Sequence, residues 1–275
     1  MLTLTVDVEQ YGDPSQSMRF LRALEPLLDA FACTESKATF FVVGELVPYC
    51  TDLLREVKQL GHEVALHGHT HRFLDRMTPS DFKNELKMGR QQIEDVLGEP
   101  PIGFRAPYFS LTEDSLWAPD LLAEAGFLYS SSVLPAWNPQ AGFPQAPRHP
   151  FLWPSGLIEF PAPTFGVGPL RLPLIGGAYL RLSPMMLVFA ARHQASKQFG
   201  AWTYCHPYDF DDDEPFNRRE EDSWFFSRLL FLRRDIMLKR ILEVTTPGSK
   251  SLGNLVSNSE LVRSLVTWPT KNSNQ

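Results

Sequence analysis

Glu63-Val64-Ala65-Leu66-His67-Gly68-His69-Thr70-His71 decides the reading of this chain: a short apolar run breaks directly into three histidines. His67 and His71 stand four residues apart, about one helical turn, a spacing at which two imidazoles can grip one metal ion. The N-terminal run Leu2-Thr3-Leu4-Thr5-Val6 ends in a similar way, in the acid pair Asp7 and Glu9. At i and i+2 on an extended chain these two carboxylates point to the same side. Bringing the two strand ends together assembles two imidazoles, a carboxylate ligand and a spare carboxylate beside them. Those are the working parts of a metal-assisted hydrolase.

Outward from these runs, strands alternate with segments of helical length and pattern. A strand over 2–7 leads to a helix over 17–31, for which Ser15 or Ser17 is an available cap. Strands over 38–43 and 63–66 flank a helix over 45–60 stopped by Gly61. A helix over 80–97 begins behind Pro79 and ends at Gly98, a strand follows over 102–105, and a helix over 112–125 precedes Gly126. This alternation predicts parallel strands with helices outside them. From 134 to 177 it gives way to prolines and glycines with Trp137 and Trp153, the pattern of long irregular loops around a strand at 157–160. A helix over 183–199, a strand over 201–204 ending at His206 and a helix over 224–242 complete the chain. The last helix mixes Trp224, Phe225, Leu229 and Phe231 with Arg228, Arg233, Arg234, Lys239 and Arg240. It reads as a packed helix with a basic edge, or as a membrane-surface helix making peripheral contact. The acidic run from Asp209 to Glu214 reads as a solvated loop.

At 275 residues the chain suits one α/β barrel and is long enough to bury its own core. One domain is expected over 1–267, with a C-terminal extension from about residue 170 and a frayed polar tail over 268–275. The formal charge of −6 argues against nucleic acid as a partner. Three widely spaced cysteines offer neither a disulfide framework nor a thiolate metal site. The sequence contains no apolar stretch of spanning length and no leader pattern, so a cytoplasmic protein is expected.

Five blocks make the match to a known family specific. They are Thr5-Val6-Asp7-Val8-Glu9, Ala38-Thr39-Phe40-Phe41-Val42, Gly61-His62-Glu63 leading into His67 to His71, Gly103-Phe104-Arg105-Ala106-Pro107-Tyr108, and Tyr204-Cys205-His206-Pro207. In this order they resemble the polysaccharide deacetylase family, also called carbohydrate esterase family four. The resemblance implies a distorted (β/α) barrel with about seven strands, its site at the C-terminal strand ends. It also implies a divalent metal, commonly zinc or cobalt, and hydrolysis of an N-acetyl group on a bacterial glycan or its precursor. On that reading His67, His71 and Glu9 hold the metal. Asp7 is the general base, Arg105 holds Asp7 by a bidentate contact, and His206 is the general acid that protonates the leaving amine. A backbone amide near Tyr108 is a candidate oxyanion donor. Tyr108, Trp137 and Trp153 are candidate sugar-stacking rings. The segment from Leu172 to Arg181 is similar to the extension of exopolysaccharide-associated deacetylases, and places Tyr179 and Arg181 toward the groove. His69 is expected to line the groove, and His62 to lie at the far end of the barrel.

Two departures from the family pattern matter. Val8 stands where the second of two adjacent aspartates is commonest; alternation along the strand favours Glu9 as the ligand instead. Tyr129-Ser130-Ser131-Ser132 places Ser130 where relatives carry an acid. These departures leave two alternatives open: a hydrolase of small cyclic amides or imides on the same fold, and a glycan-binding relative without turnover.

Overall fold

A computed structural model describes residues 2–10, 18–218 and 224–268. Ser15 and Ser17, the expected caps of the first helix, lie outside these residues. The strands are β1 (Thr3–Val8), β2 (Ala38–Val42), β3 (Glu63–Leu66), β4 (Gly103–Phe104), β5 (Tyr129–Ser130), β6 (Phe151–Leu152), β7 (Ile158–Glu159) and β8 (Trp202–Cys205). Among the described residues they form one sheet in the order β6-β7-β5-β4-β3-β2-β1-β8. Every neighbouring pair is parallel except β6 with β7. The sheet curls into a half-barrel, the distorted barrel expected.

Alternation along the strands divides the interior. Leu4, Val6 and Val8 of β1, with Phe40, Val42 and Leu66, face the helices and belong to the larger core. Phe41, Ala65, Tyr129, Ile158 and Trp202 form a second cluster on the opposite side, inside the curl. The register pairs Val6 with Phe40 and Asp7 with Phe41. Thr5 and Asp7 therefore enter the curl with this second set. A one-residue slip would exchange the faces and move the carboxylate out of it.

The outer helices include α1 (Arg19–Thr34), α2 (Thr51–Gln59), α3 (Pro79–Leu97) and α4 (Ala118–Glu124). In α3, Thr78 accepts from the Asp81 amide while Asp81 reaches back to the Thr78 amide. Pro79 occupies the first turn, and Gly98 ends the helix at φ 75°. Phe82, Leu86 and Ile93 supply its buried face. The segment expected as one helix over 45–60 starts instead as a 3-10 turn, Gly44–Tyr49, that contains Pro48. Proline lacks the amide that a continuous helix would need there.

The second half departs more from expectation. Strands β5 and β6 are two residues each, too short to leave a periodic signal. After α5 (Gly177–Leu182) and α6 (Met185–Ala195), the single helix expected over 224–242 divides into α7 (Trp224–Leu229), a 3-10 turn at Arg234–Ile236 and α8 (Met237–Val244). The break falls at Arg233, which has φ 57°. Two of its basic residues are not on a surface face at all. Buried Arg234 donates to the carbonyls of Leu230 and Asp211, and Arg240 to those of Leu180 and Ser183. The continuous basic face that a membrane-surface helix requires does not form. No helix among the described residues is long and apolar enough to cross a membrane. Trp268, expected in the tail, is packed: its amide donates to Leu152 O at 2.8 Å and its ring meets Phe143, Phe151 and Trp153.

Candidate metal centre

Parallel pairing of β1, β2 and β3 brings the ends of the first and third strands to one rim. Asp7 and Glu9 are buried there, beside buried His67. The ring Nδ1 of His67 lies 3.0 Å from Arg105 O, which commits that nitrogen to the backbone and leaves Nε2 facing Glu9 Oε2 at 3.8 Å. His71 Nε2 contacts the same Glu9 oxygen. To reach it the chain turns back through Gly68 at φ 68° and His71 at φ 55°. A left-handed histidine is an uncommon conformation, and such outliers cluster at functional sites.

Glu9, His67 and His71 each offer a ligand atom within 4.8 Å of the other two. One ion with ligand bonds of roughly 2.0–2.2 Å can span such a set, and two imidazoles with one carboxylate are a donor set that suits zinc. Burial alone would raise the Glu9 carboxyl. The charge of His71 and hydrogen bonds from His67 and His71, with His206 nearby, hold it well below the ordinary carboxylate range. The candidate ligand oxygen is therefore held in its charged form.

The loop carrying these histidines is clamped by Glu85, a buried acid on α3. It accepts from the amides of His69 (3.0 Å) and Thr70 (2.9 Å) and from the Thr70 hydroxyl (2.6 Å). His69 lies buried in that loop against Gly44, where a β-carbon would collide with its ring; it does not line the groove as expected. His62 is at the opposite end of β3, as expected. There Ala38 N donates to its Nδ1 at 3.1 Å. Burial, with Lys37 nearby, depresses it to about 4.

Arg105 is 0 % exposed and its guanidinium is shared. Nη1 donates to Asp7 Oδ1 at 2.6 Å and to Thr5 Oγ1 at 2.8 Å. Nε and Nη2 donate to the Ser131 carbonyl and hydroxyl. The contact to Asp7 is thus single rather than bidentate, because the rest of the fork is occupied by the end of β5. The rings of Phe41 and Trp202 lie against the guanidinium at 4.0 and 4.1 Å. Burial lowers its affinity for its proton and the Asp7 charge opposes that.

His206 follows β8, which pairs with β1 on the side away from β2. Its Nε2 lies 3.9 Å from Glu9 Oε1, and its Nδ1 lies 2.9 Å from Asp209 Oδ2. Asp209, expected in a solvated acidic loop, is 0 % exposed and ion-paired with buried Arg181 at 2.9 Å. Burial alone would raise the Asp209 carboxyl; Arg181 and His206 bring it down to about 2. Burial would likewise lower His206, but Asp209, Glu9 and Asp7 raise it above its ordinary value.

Asp7, Glu9, His67 and His206 open into one groove walled by Tyr108, Tyr179, Tyr204, Tyr208, Asn138 and Gln140. Tyr108, held at φ 59°, stacks on Phe73 at 4.0 Å and sits 4.9 Å from the His71 ring. Trp137 is 65 % exposed and does not line this groove, although its neighbour Asn138 does. Trp153 is in the core against Phe151 and Trp268, so it is no sugar platform. Arg181 is enclosed and does not reach the groove. Ser130 is buried, bonding to Ser132 Oγ at 2.8 Å. Beside it, Glu159 accepts from the amides of Ser132 and Val133.

Sequence reading passed over Glu85, Asp209 and Glu159. Glu85 had a usable signal: it sits between Phe82 and Leu86 on the apolar stripe of an amphipathic helix, where an acid needs a partner. Asp209 was hidden inside a run of acids.

A half-barrel with two histidines and a carboxylate at the C-terminal strand ends, an arginine-held aspartate beside them and a histidine opposite defines a class of α/β proteins with a candidate metal site. Residues 3–127 match the family model described as polysaccharide deacetylase, and residues 131–247 match one described as a domain of unknown function, DUF3473. Residues 3–127, a little under half of the chain, thus form a polysaccharide deacetylase domain. The chain is 31 % identical over 101 residues to a peptidoglycan-N-acetylglucosamine deacetylase of Bacillus cereus, covering 37 % of each chain. It is 34 % identical over 98 residues to a chitooligosaccharide deacetylase of Bradyrhizobium, covering 35 % of this chain and 42 % of that one. The matched segments thus span about two fifths of those relatives' length. A crystal structure of a putative polysaccharide deacetylase from Mycobacterium smegmatis superposes with a TM-score of 0.61 at 22 % identity, over 95 % of this chain and 89 % of that one, and shows the same fold.

Proposed function

We propose that this protein is a metal-dependent hydrolase that removes the acetyl group from an N-acetylated amino sugar of a glycan. The observation that carries the reading is that Asp7, Glu9, His67 and His206 open into one groove, with His71 clustered against Glu9 and His67. Glu9, His67 and His71 would hold a divalent cation, zinc by its donor set, which would supply Lewis acidity for the acetyl carbonyl and lower the pKa of water. Asp7, fixed by Arg105, takes the proton of the attacking water. His206 gives a proton to the amine nitrogen, so that the sugar leaves as a neutral amine rather than an amide anion. The groove wall suits a sugar: aromatic rings for its apolar faces, with Asn138 and Gln140 for its hydroxyls. Acetate release from N-acetylglucosamine oligomers tests the reading. Release that requires added divalent metal and is lost in Asp7→Asn supports it; ring opening of a cyclic imide without acetate release overturns it in favour of the small-amide alternative.

A further inference from the structure

We infer that Arg181 and Asp209 are positioning residues for His206, and that this three-residue chain is what the segment of unknown function, 131–247, contributes to the reaction proposed above. The inference rests on that reading. One oxygen of Asp209, Oδ2, accepts from both the backbone amide and the ring of His206, at 2.8 and 2.9 Å. The other, Oδ1, faces Arg181 Nη2 at 2.9 Å. Arg181 is fixed in turn, because its Nη1 donates to the carbonyls of Leu230 and Leu232 at 3.1 and 3.0 Å. Backbone from the stretch after α7 thus anchors one guanidinium carried on α5, the guanidinium anchors one carboxylate, and the carboxylate anchors one imidazole. Burying two full charges carries a desolvation cost that apolar side chains would avoid. What the charges provide is a carboxylate that stays ionised against the ring.

Its effect is directional. With Nδ1–H committed to Asp209, Nε2 is the nitrogen that faces Glu9 and the groove. Nε2 gives its proton to the amine nitrogen as the carbon–nitrogen bond breaks, the bonding pair staying on nitrogen. No acid stands at Ser130, where the resemblance implies one, and Ser130 bonds to Ser132. The carboxylate on the ring comes from the turn after β8 instead.

The test uses the full chain with Asp209→Asn and Arg181→Met. On N-acetylglucosamine oligomers, Asp209→Asn is expected to lower kcat at least tenfold while KM and bound metal per chain stay within about twofold. Arg181→Met acts in the same direction but less, and Asp209→Glu restores part of the loss. By proton NMR the wild type shows the downfield Nδ1 proton of an imidazole bonded to a carboxylate, and Asp209→Asn loses it. Unchanged kcat, a change in KM or metal content alone, or a retained downfield proton overturns the inference. Should Asp209→Asn not fold, Arg181→Lys keeps the charge but not the fork, and an unshifted His206 resonance there overturns it equally. Absence of acetate release by the wild type would sink the functional reading, while the NMR measurement would still decide whether Asp209 orients the ring.

Discussion

The two halves of the molecule build the same groove by different means. Residues 3–127 are a regular alternation of strand and helix, and their contribution (Asp7, Glu9, His67, His71 and Arg105) sits at strand ends whose position follows from parallel pairing. Residues 131–247 are mostly loops and broken helices, and their contribution (Tyr179, His206, Asp209 and Arg181) is held by buried ion pairs and by arginines bonded to backbone carbonyls. The first half places chemistry through register and the second through individual polar contacts. Loss of a side chain should therefore have separable consequences: ion binding on one side, proton delivery on the other.

The largest effect expected is from His67→Ala, which removes one of the three candidate ligands found among the described residues. Bound metal and acetate release should both fall to background, measured by elemental analysis and a coupled acetate assay. Retention of full metal occupancy would break the division. Asp7→Asn and His206→Ala should retain the ion and lose roughly 10²–10⁴ in kcat each, the range for a single general acid or base. Asp7 lies on the first-half side but is not a ligand in this account, so metal loss in Asp7→Asn would reassign it.

A smaller effect tests how the first half holds its loop. Glu85→Gln leaves one acceptor for donors that now meet two oxygens. Metal affinity should weaken roughly 10–100-fold, as for other groups that orient ligands, with the affinity measured by competitive chelation. Unchanged affinity would show that His71 reaches its left-handed conformation without the clamp.

The smallest effect concerns stability, at the far end of β3. His62 is depressed to about 4 from an ordinary value near 6.5. Between those values the unfolded chain binds a proton that the folded state refuses. Stability therefore falls as pH drops through that window and levels off below it. His62→Gln removes this component. Its unfolding free energy should change less than that of wild type between pH 6.5 and 4, by on the order of 3 kcal/mol, with acetate release intact. Equal pH dependence in the two proteins would mean that His62 is not the group responsible.

The same contrast explains what could be read in advance. β1, β2, β3 and α3 were legible because period and caps repeat over several residues; Thr78, Pro79 and Gly98 mark α3 without ambiguity. The candidate metal cluster was legible because alternation puts Asp7 and Glu9 on one face and the turn after Leu66 must carry His67. Of the two-residue strands, β4 and β7 fall inside the stretches read as strands at 102–105 and 157–160, while β5 and β6 hold too little pattern to register. The break at Arg233 was hidden by a helical-looking sequence, since the cause is long-range: Arg234 and Arg240 are drawn inward by carbonyls distant in the chain. The Asp209–Arg181 pair spans 28 positions, with α6 and β8 between, which no local pattern encodes. For the same reason Trp153 read as a surface ring, although its partner Trp268 lies near the end of the described chain.

Metal stoichiometry before and after chelation, followed on one sample together with acetate release, tests the central claim most directly. The account predicts one divalent ion per chain, activity that vanishes when the ion is stripped and returns when zinc is restored, and neither ion nor recovery in Glu9→Ala. Undiminished hydrolysis by the stripped protein, or full metal binding by Glu9→Ala, would contradict it.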